Sequence, residues 1–349
     1  MSAEGWNGLG TDGYAAAGPR FHRLGQRMPS NPVRVAVFND TSFGQHFGCD
    51  AVMETISRLV AEHRGVISYR HPVGLAWQNH EGALAGLDQA TMVLVNGEGT
   101  IHHSSEKARA LAALGPYCAT RARPCYLINA TVQANDAAIM ADIAAFTAVW
   151  VRETSSQKEL VRYGVEANVC GDLSLFHEHE ASARVWGQPL VVDSVNKRVN
   201  IWLGDVARDL GADFVSMKRG EGGQLVYAPR TRLARLLRRK PKPTGSLPRV
   251  TDFREFASYL AAHSYLVTGR FHGFCLGLAL SLPMSVVPSN TWKCEAVLRD
   301  VGLEPRRLVT PWDKVPMLPL TDQEVQRMRD YVARARRDMR AMFNRLLSP

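Results

Sequence analysis

Thr91-Met92-Val93-Leu94-Val95 runs apolar without interruption and is stopped by Asn96-Gly97-Glu98-Gly99. A strand that is apolar at every position is buried on both faces, as in a parallel sheet covered by helices. Val33-Arg34-Val35-Ala36-Val37-Phe38, ending in Asn39-Asp40, has the same form. Helix-period segments near 49–63, 106–115, 134–144 and 154–163 alternate with further expected strands at 124–129, 147–152 and 167–171. The second half repeats the plan. It has strands at 189–192, 214–217, 265–268 and 283–287, with helices near 196–209, 252–260, 273–282 and 291–301. This alternation predicts an α/β protein of two Rossmann-like domains, with the strand ends of both facing one cleft.

The expected boundaries are a Gly-, Ala-, Ser- and Pro-rich leader over 1–30, a first domain over 31–180, a second over 181–320 and a terminal helix over 321–349. The junction is placed near 177–188, and 219–247 reads as a loop or basic flap. Asp252 and Glu255 have capping-box spacing ahead of the apolar face Phe253, Phe256, Ala257 and Leu260. Val325, Met328, Val332, Ala335, Met339, Met342 and Leu346 recur at steps of three and four. That seam is expected to dock on its own chain. A dimer coiled coil or a membrane-surface helix stays open, and with it the oligomeric state.

No run of 18 apolar residues occurs, and the N-terminus has no apolar signal-type segment, so a cytoplasmic protein is expected. The six cysteines are scattered without a C-x-x-C pair and read as reduced core residues. Net charge is +9. Seven of the 42 Lys and Arg residues fall in 228–242 and another seven in 327–345, so the excess belongs to two patches. Localised charge without interleaved aromatics argues against a nucleic-acid partner. There is no Walker A loop, no G-x-G-x-x-G after the first strand, no G-x-S-x-G and no H-E-x-x-H.

Gly269-Arg270-Phe271-His272-Gly273 stands where a strand ends and a helix begins. A helix N-terminus offers unpaired N–H groups and a positive dipole end to an anion. Arg270 adds a planar fork, His272 a group that moves protons near neutral pH, and Gly269 and Gly273 allow close approach. Asn96-Gly97-Glu98-Gly99-Thr100-Ile101-His102-His103 has the same placement in the first half, with Glu98 as a candidate base. His102 and His103 lie next to each other on an extended segment and should face opposite ways, so no metal is expected there. The turn Phe43–Ala51 brings Asp50 to the first helix, as a base or merely an N-terminal residue. Thr154 or Ser156 is the expected N-cap after Arg152-Glu153, and Asp172 closes another strand. Lys293, with Asn290 just before it, starts a helix against the dipole, which suits an anion.

These motifs resemble the polysaccharide pyruvyl transferase family. The resemblance runs from Gly48–Asp50 through Gly97–Gly99, Val151-Arg152-Glu153, Gly164-Val165 and Gly171-Asp172. It is strongest at 269–273, with Ala279, Pro283, Asn290, Lys293 and Asp300–Leu303 following. It implies a GT-B-like fold and an enzyme that moves the pyruvyl unit of phosphoenolpyruvate onto two sugar hydroxyls as a ketal, without metal or cofactor. On this chain it implies that Arg270, Gly269, Gly273, Asn290 and Lys293 hold the donor, with His272 as acid and Glu98 or Asp50 as base. Gly48, Asn96, Gly97, Gly99, Thr100, His102, His103, Arg152 and Asp172 would lie on the acceptor side. The Asn-Gly-Glu-Gly turn and the basic stretch 228–242 depart from the family pattern. The latter suits a lipid-diphosphate-linked acceptor or peripheral contact with the inner membrane face, or is a solvated loop. The rival reading is a GT-B glycosyltransferase using a nucleotide sugar.

Overall fold

The computed structural model describes residues 32–179, 187–220, 223–227, 243–247 and 250–348. The expected leader, the basic stretch 228–242 and most of the expected domain junction lie outside them.

The first sheet has strands β1 (Arg34–Asp40), β2 (Val66–Pro72), β3 (Met92–Glu98), β4 (Cys125–Ala130), β5 (Ala148–Val151) and β6 (Asn168–Val169). All pair in parallel, in the order β2-β1-β3-β4-β5-β6. β1 and β3 are almost wholly buried, as their unbroken apolar runs require. β2 was not expected. It is an edge strand whose Ser68, Tyr69 and Arg70 are exposed or partly exposed, so it lacks the signal of a central strand. The helix Glu81–Gln89 was missed as well.

The second sheet has strands β7 (Leu190–Ser194), β8 (Asp213–Gly220), β9 (Gly223–Tyr227), β10 (Pro243–Leu247), β11 (Leu266–Gly269) and β12 (Met284–Val286). Its order is β10-β9-β8-β7-β11-β12, with β9 and β10 added antiparallel to a parallel core. The segment expected as a loop over 219–247 therefore carries β9, β10 and the end of β8. Gly and Pro at a sheet edge disguised them.

Both sheets are doubly wound. The strand order reverses between β1 and β3 in one and between β7 and β11 in the other. At such a point successive connections leave for opposite faces and open a crevice at the carboxyl ends of the strands. The two sets of ends meet. A backbone bridge joins His46 to Lys218, Trp292 N donates to Gln133 Oε1 at 2.8 Å, and Thr154 N and Oγ1 donate to Asp300 at 2.8 and 2.5 Å. Thr154 is therefore a tie between the halves and not an N-cap. The cap is Glu153, whose carboxylate accepts from the N and Oγ of Ser156.

The helix opened by Asp252 has only half a capping box, because Glu255 turns to the N–H of Thr251. The final helix, Asp322–Leu347, has a full box from Thr321 and Glu324. Its seam docks on its own chain, as expected, against elements of both halves: the helix Phe47–Glu62 and the turn Leu173–Phe176 of the first, and the helices Phe271–Ala279 and Lys293–Val301 of the second. Arg336 donates to the carbonyls of Leu175 and His177, Arg340 lies 4.8 Å over Phe176, and Arg345 lies 5.8 Å over Trp150. No helix among the described residues is long and apolar enough to cross a membrane.

Arg307, 1% exposed, clamps the start of this helix. It bonds both carboxylate oxygens of Glu324 at 2.7 and 2.8 Å and the carbonyls of Met284, Leu318 and Pro319. Removing one partner of a buried pair strands the other and three carbonyls. Arg307→Met should lower unfolding free energy by about 3–5 kcal/mol. Urea denaturation monitored by tryptophan fluorescence checks this, and an unchanged midpoint would show the clamp to be idle.

Candidate active site

The carboxyl end of β1 sends Asn39 and Thr41 toward the end of β3. Asn39 Nδ2 donates to the Asn96 carbonyl at 2.6 Å, and Asn129 Nδ2 donates to Asn96 Oδ1 at 3.1 Å. Three neighbouring strands are thus stitched by asparagines. Asn96, Gly97 and Glu98 belong to β3 and do not form the turn expected there, since β3 pairs with β4 as far as Glu98↔Ala130. The carboxylate of Glu98 accepts from Thr41 Oγ1 at 2.5 Å and Asn96 Nδ2 at 3.1 Å, and Cys49 Sγ lies 3.6 Å from it. Glu98 takes φ of +38°, a costly conformation for a side-chain-bearing residue that its buried neighbours impose.

His272 is the second residue of the helix Phe271–Ala279 and lies against the first helix of the chain, Phe47–Glu62. A Cβ on Gly48 would stand 2.2 Å from His272 Cβ and Cγ, so only glycine admits the imidazole there. His272 is 7% exposed, and its Nε2 has no hydrogen-bond partner among the described residues. The nearest carboxylate oxygen is Asp172 Oδ1 at 3.7 Å. Burial pushes the imidazole below its ordinary range, against the opposing pull of Asp172 and Glu98, so it rests neutral.

Asp172 is itself pinned. Burial favours its neutral form, but His272, Arg152 and Ser174 outweigh that and hold it below the usual carboxylate range. Arg152 NH1 donates to its Oδ2 at 2.9 Å, and the Ser174 hydroxyl donates to its Oδ1 at 2.5 Å. Arg152, 1% exposed, also reaches Thr131 Oγ1 and stacks 4.6 Å over Phe271.

Lys293 completes the group. It is 7% exposed, and its Nζ donates to Asn290 Oδ1 at 2.6 Å. A Cβ on Gly99 would come within 3.2 Å of that Nζ, so the glycine keeps the approach open. Burial, and then Arg152, lower the ammonium to about 8. Asn290 Nδ2 lies 3.2 Å from His102 Nε2, linking the second sheet's side to the first.

The residues expected from sequence divide into two sets. Glu98, Arg152, Asp172, His272, Asn290 and Lys293 come together, with Gly48, Gly99 and His102 beside them. The Thr100 hydroxyl receives Asn39 Nδ2 at 3.2 Å, while Gly97, Gly269 and Gly273 pack closely on Ala130, Ser194 and Thr268. Arg270 presents no open fork. Its Nε and NH2 are bidentate to Asp193 at 2.9 and 2.6 Å, bracing the switch point of the second sheet. Asp50 pairs with Arg219 at 2.7 Å, and burial raises it to about 6 despite that partner. His102 and His103 do not face opposite ways. His103 has φ of +52°, and the turn brings the two Nδ1 atoms to 2.9 Å. Two residues at the centre were not singled out, His46 and Cys49. The His46 ring lies 5.5 Å from that of His272, and burial, then Arg270, lower its imidazole well below the ordinary value. The only local signal was their place in the first βα turn.

A cavity of about 510 Å³ lies away from this group, walled by Glu304, Arg307, Leu318, Glu324 and Arg327. Its two buried charges, Arg307 and Glu324, already neutralise each other.

Gly48→Ala tests the packing of the centre. A Cβ that close must displace the His272 ring, and overpacking of this kind typically costs about 1–3 kcal/mol. Thermal unfolding should fall accordingly, and the imidazole proton resonances of His272 should shift. A variant with unchanged melting and spectra would show that the two helices do not meet here.

Among curated protein sequences none gives a significant match. Solved structures with related backbones include the S. aureus MnaA–UDP co-structure, at 10% identity and TM-score 0.47, covering 88% of this chain and 90% of that one. A putative UDP-N-acetylglucosamine 2-epimerase from Listeria monocytogenes gives 9% identity and 0.44, covering 89% and 91%. The glycosyltransferase SnogD from Streptomyces nogalater gives 12% and 0.40, covering 91% and 99%. The family model for polysaccharide pyruvyl transferase matches residues 84–290, a span that holds Glu98, Arg152, Asp172 and His272. By that match over more than half its length, the chain belongs to the polysaccharide pyruvyl transferase family.

Proposed function

We propose that the chain transfers the pyruvyl unit of phosphoenolpyruvate to two hydroxyls of a saccharide, closing a cyclic ketal and releasing phosphate. The observation that carries this reading is the buried, unpartnered Nε2 of a neutral His272, 3.7 Å from a fixed carboxylate. A neutral imidazole can take the proton of an incoming hydroxyl, and Asp172 then steadies the imidazolium. His272 passes that proton to the methylene carbon of the donor, leaving the adjacent carbon electron-poor, and the hydroxyl oxygen bonds to it. The bond from that carbon to the phosphate oxygen breaks next, and the second hydroxyl closes the ring. Glu98 accepts the second proton and yields it to the departing phosphate. Of the two hydroxyl protons, one ends on the new methyl group and the other on phosphate. Lys293, with Arg152 behind it, supplies the positive charge that a doubly anionic donor needs. Arg270 braces this arrangement through Asp193 and is not the donor's primary fork.

Phosphoenolpyruvate should raise the melting temperature, and UDP-, GDP- and CMP-sugars should not. Stabilisation by a nucleotide sugar alone would favour a glycosyltransferase and sink this reading. His272→Gln should retain phosphoenolpyruvate binding but lose roughly 10²–10⁴-fold in turnover. Loss of donor binding with normal turnover at saturation would reverse the assigned role.

The pH profile should be a bell. Turnover falls at acid pH as His272 becomes charged at rest, and its lowered value puts that limb below the ordinary histidine range. Lys293, lowered to about 8, is cationic below that pH, so donor affinity is lost as pH rises through it. A guanidinium does not deprotonate in this range. Lys293→Arg should therefore carry the alkaline limb upward by at least a pH unit while leaving the acid limb in place. An alkaline limb that stays put would assign it to another group.

A further inference from the structure

The centre also holds three side chains that the transfer step does not fully use. His46, Cys49 and His272 each aim a ligand atom at a common point, and these atoms all lie within 4.8 Å of one another. His46 and His272 are 8% and 7% exposed, and His46 Nδ1 and His272 Nε2 are both without hydrogen-bond partners among the described residues. Two orphaned nitrogens at one buried point are costly to leave unmet. Only one such group of metal-capable side chains occurs among the described residues. Glu98 Oε2 lies 3.6 Å from Cys49 Sγ, on the flank of this group and outside its set of mutually close ligand atoms.

We propose that His46, Cys49 and His272 form a three-residue site for a thiophilic divalent cation of the zinc type, its fourth position open to solvent, and that occupancy masks His272. Two imidazoles and a thiolate match the preference of zinc for nitrogen and sulfur donors, three of the four positions of a tetrahedral array. Bond lengths of about 2.0–2.3 Å put such donors roughly 3.5 Å apart, so the side chains need close by only about an ångström. Binding releases one proton: the Cys49 S–H bond breaks, a sulfur–metal bond forms, and the proton leaves to solvent. Bound metal takes the lone pair on His272 Nε2 that would receive the hydroxyl proton. The masking effect rests on the transfer reading given above, whereas metal binding does not.

Cobalt(II) is the probe for binding. The intact protein, treated with chelator and titrated with cobalt(II), should develop a thiolate-to-cobalt charge-transfer band in the near ultraviolet, saturating at one equivalent. Cys49→Ser should abolish the band, and His46→Gln should weaken cobalt affinity at least tenfold, with thermal melts confirming that both variants fold. No band in the wild type, or a full band in Cys49→Ser, overturns the site. For masking, one equivalent of zinc should suppress pyruvyl transfer by wild type and be reversed by chelator, with Cys49→Ser at least tenfold less sensitive relative to its own metal-free rate. Full activity of the zinc-loaded wild type overturns the masking. If no pyruvyl transfer is detected under any condition, the transfer reading falls while the cobalt spectra still decide the metal site.

Discussion

The candidate centre hangs on the guanidinium of Arg152. It is taken almost wholly out of water, which for a charge costs several kcal/mol unless every donor is met. Thr131, Asp172 and the face of Phe271 meet it. These partners come from the end of β4, the end of β6 and the first turn of the helix that carries His272. One cation thus fixes the aspartate that faces His272 and the helix that presents it. Glu98, Lys293 and His272 are placed around this anchor by strand ends that would otherwise diverge.

Much of the fold was legible in the sequence because burial on both faces writes itself as unbroken apolar runs. β1, β3, β7 and β11 were read in this way. β2 escaped because an edge strand keeps Ser68 and Arg70 partly exposed, and the Gly- and Pro-bearing β9 and β10 resemble a loop when read locally. The seam of the terminal helix was legible as a pattern, since seven spaced apolar residues need a partner. That its partners come from both halves could not be read, because periodicity says that a face is buried and not what buries it.

The site was legible to the same depth. Strand-to-helix transitions marked where Glu98, Arg152, Asp172, His272 and Lys293 would emerge. Their bonding was not marked. Arg270 looks like an anion fork until Asp193, distant in sequence, occupies it. His46 and Cys49 become notable only where the helix Phe47–Glu62 meets the helix Phe271–Ala279. The left-handed turn at His103 reverses the usual orientation of neighbouring side chains, so the rule for extended segments did not apply.

The terminal helix has a bearing on the order in which the molecule assembles. Trp150 and Phe176 belong to the early part of the chain, yet Arg345 and Arg340 cover them only when the final helix arrives. During synthesis the first sheet can complete its strand pairing while this face stays open to water and to other chains. Contacts of such long sequence separation close late and slowly. The connector around Leu175 and His177, which leads from the first sheet toward the second, receives Arg336 only at that last stage. Assembly of the candidate centre is therefore coupled to the helix Asp322–Leu347, far along the chain from the first sheet, although that helix contributes no side chain to the group around His272.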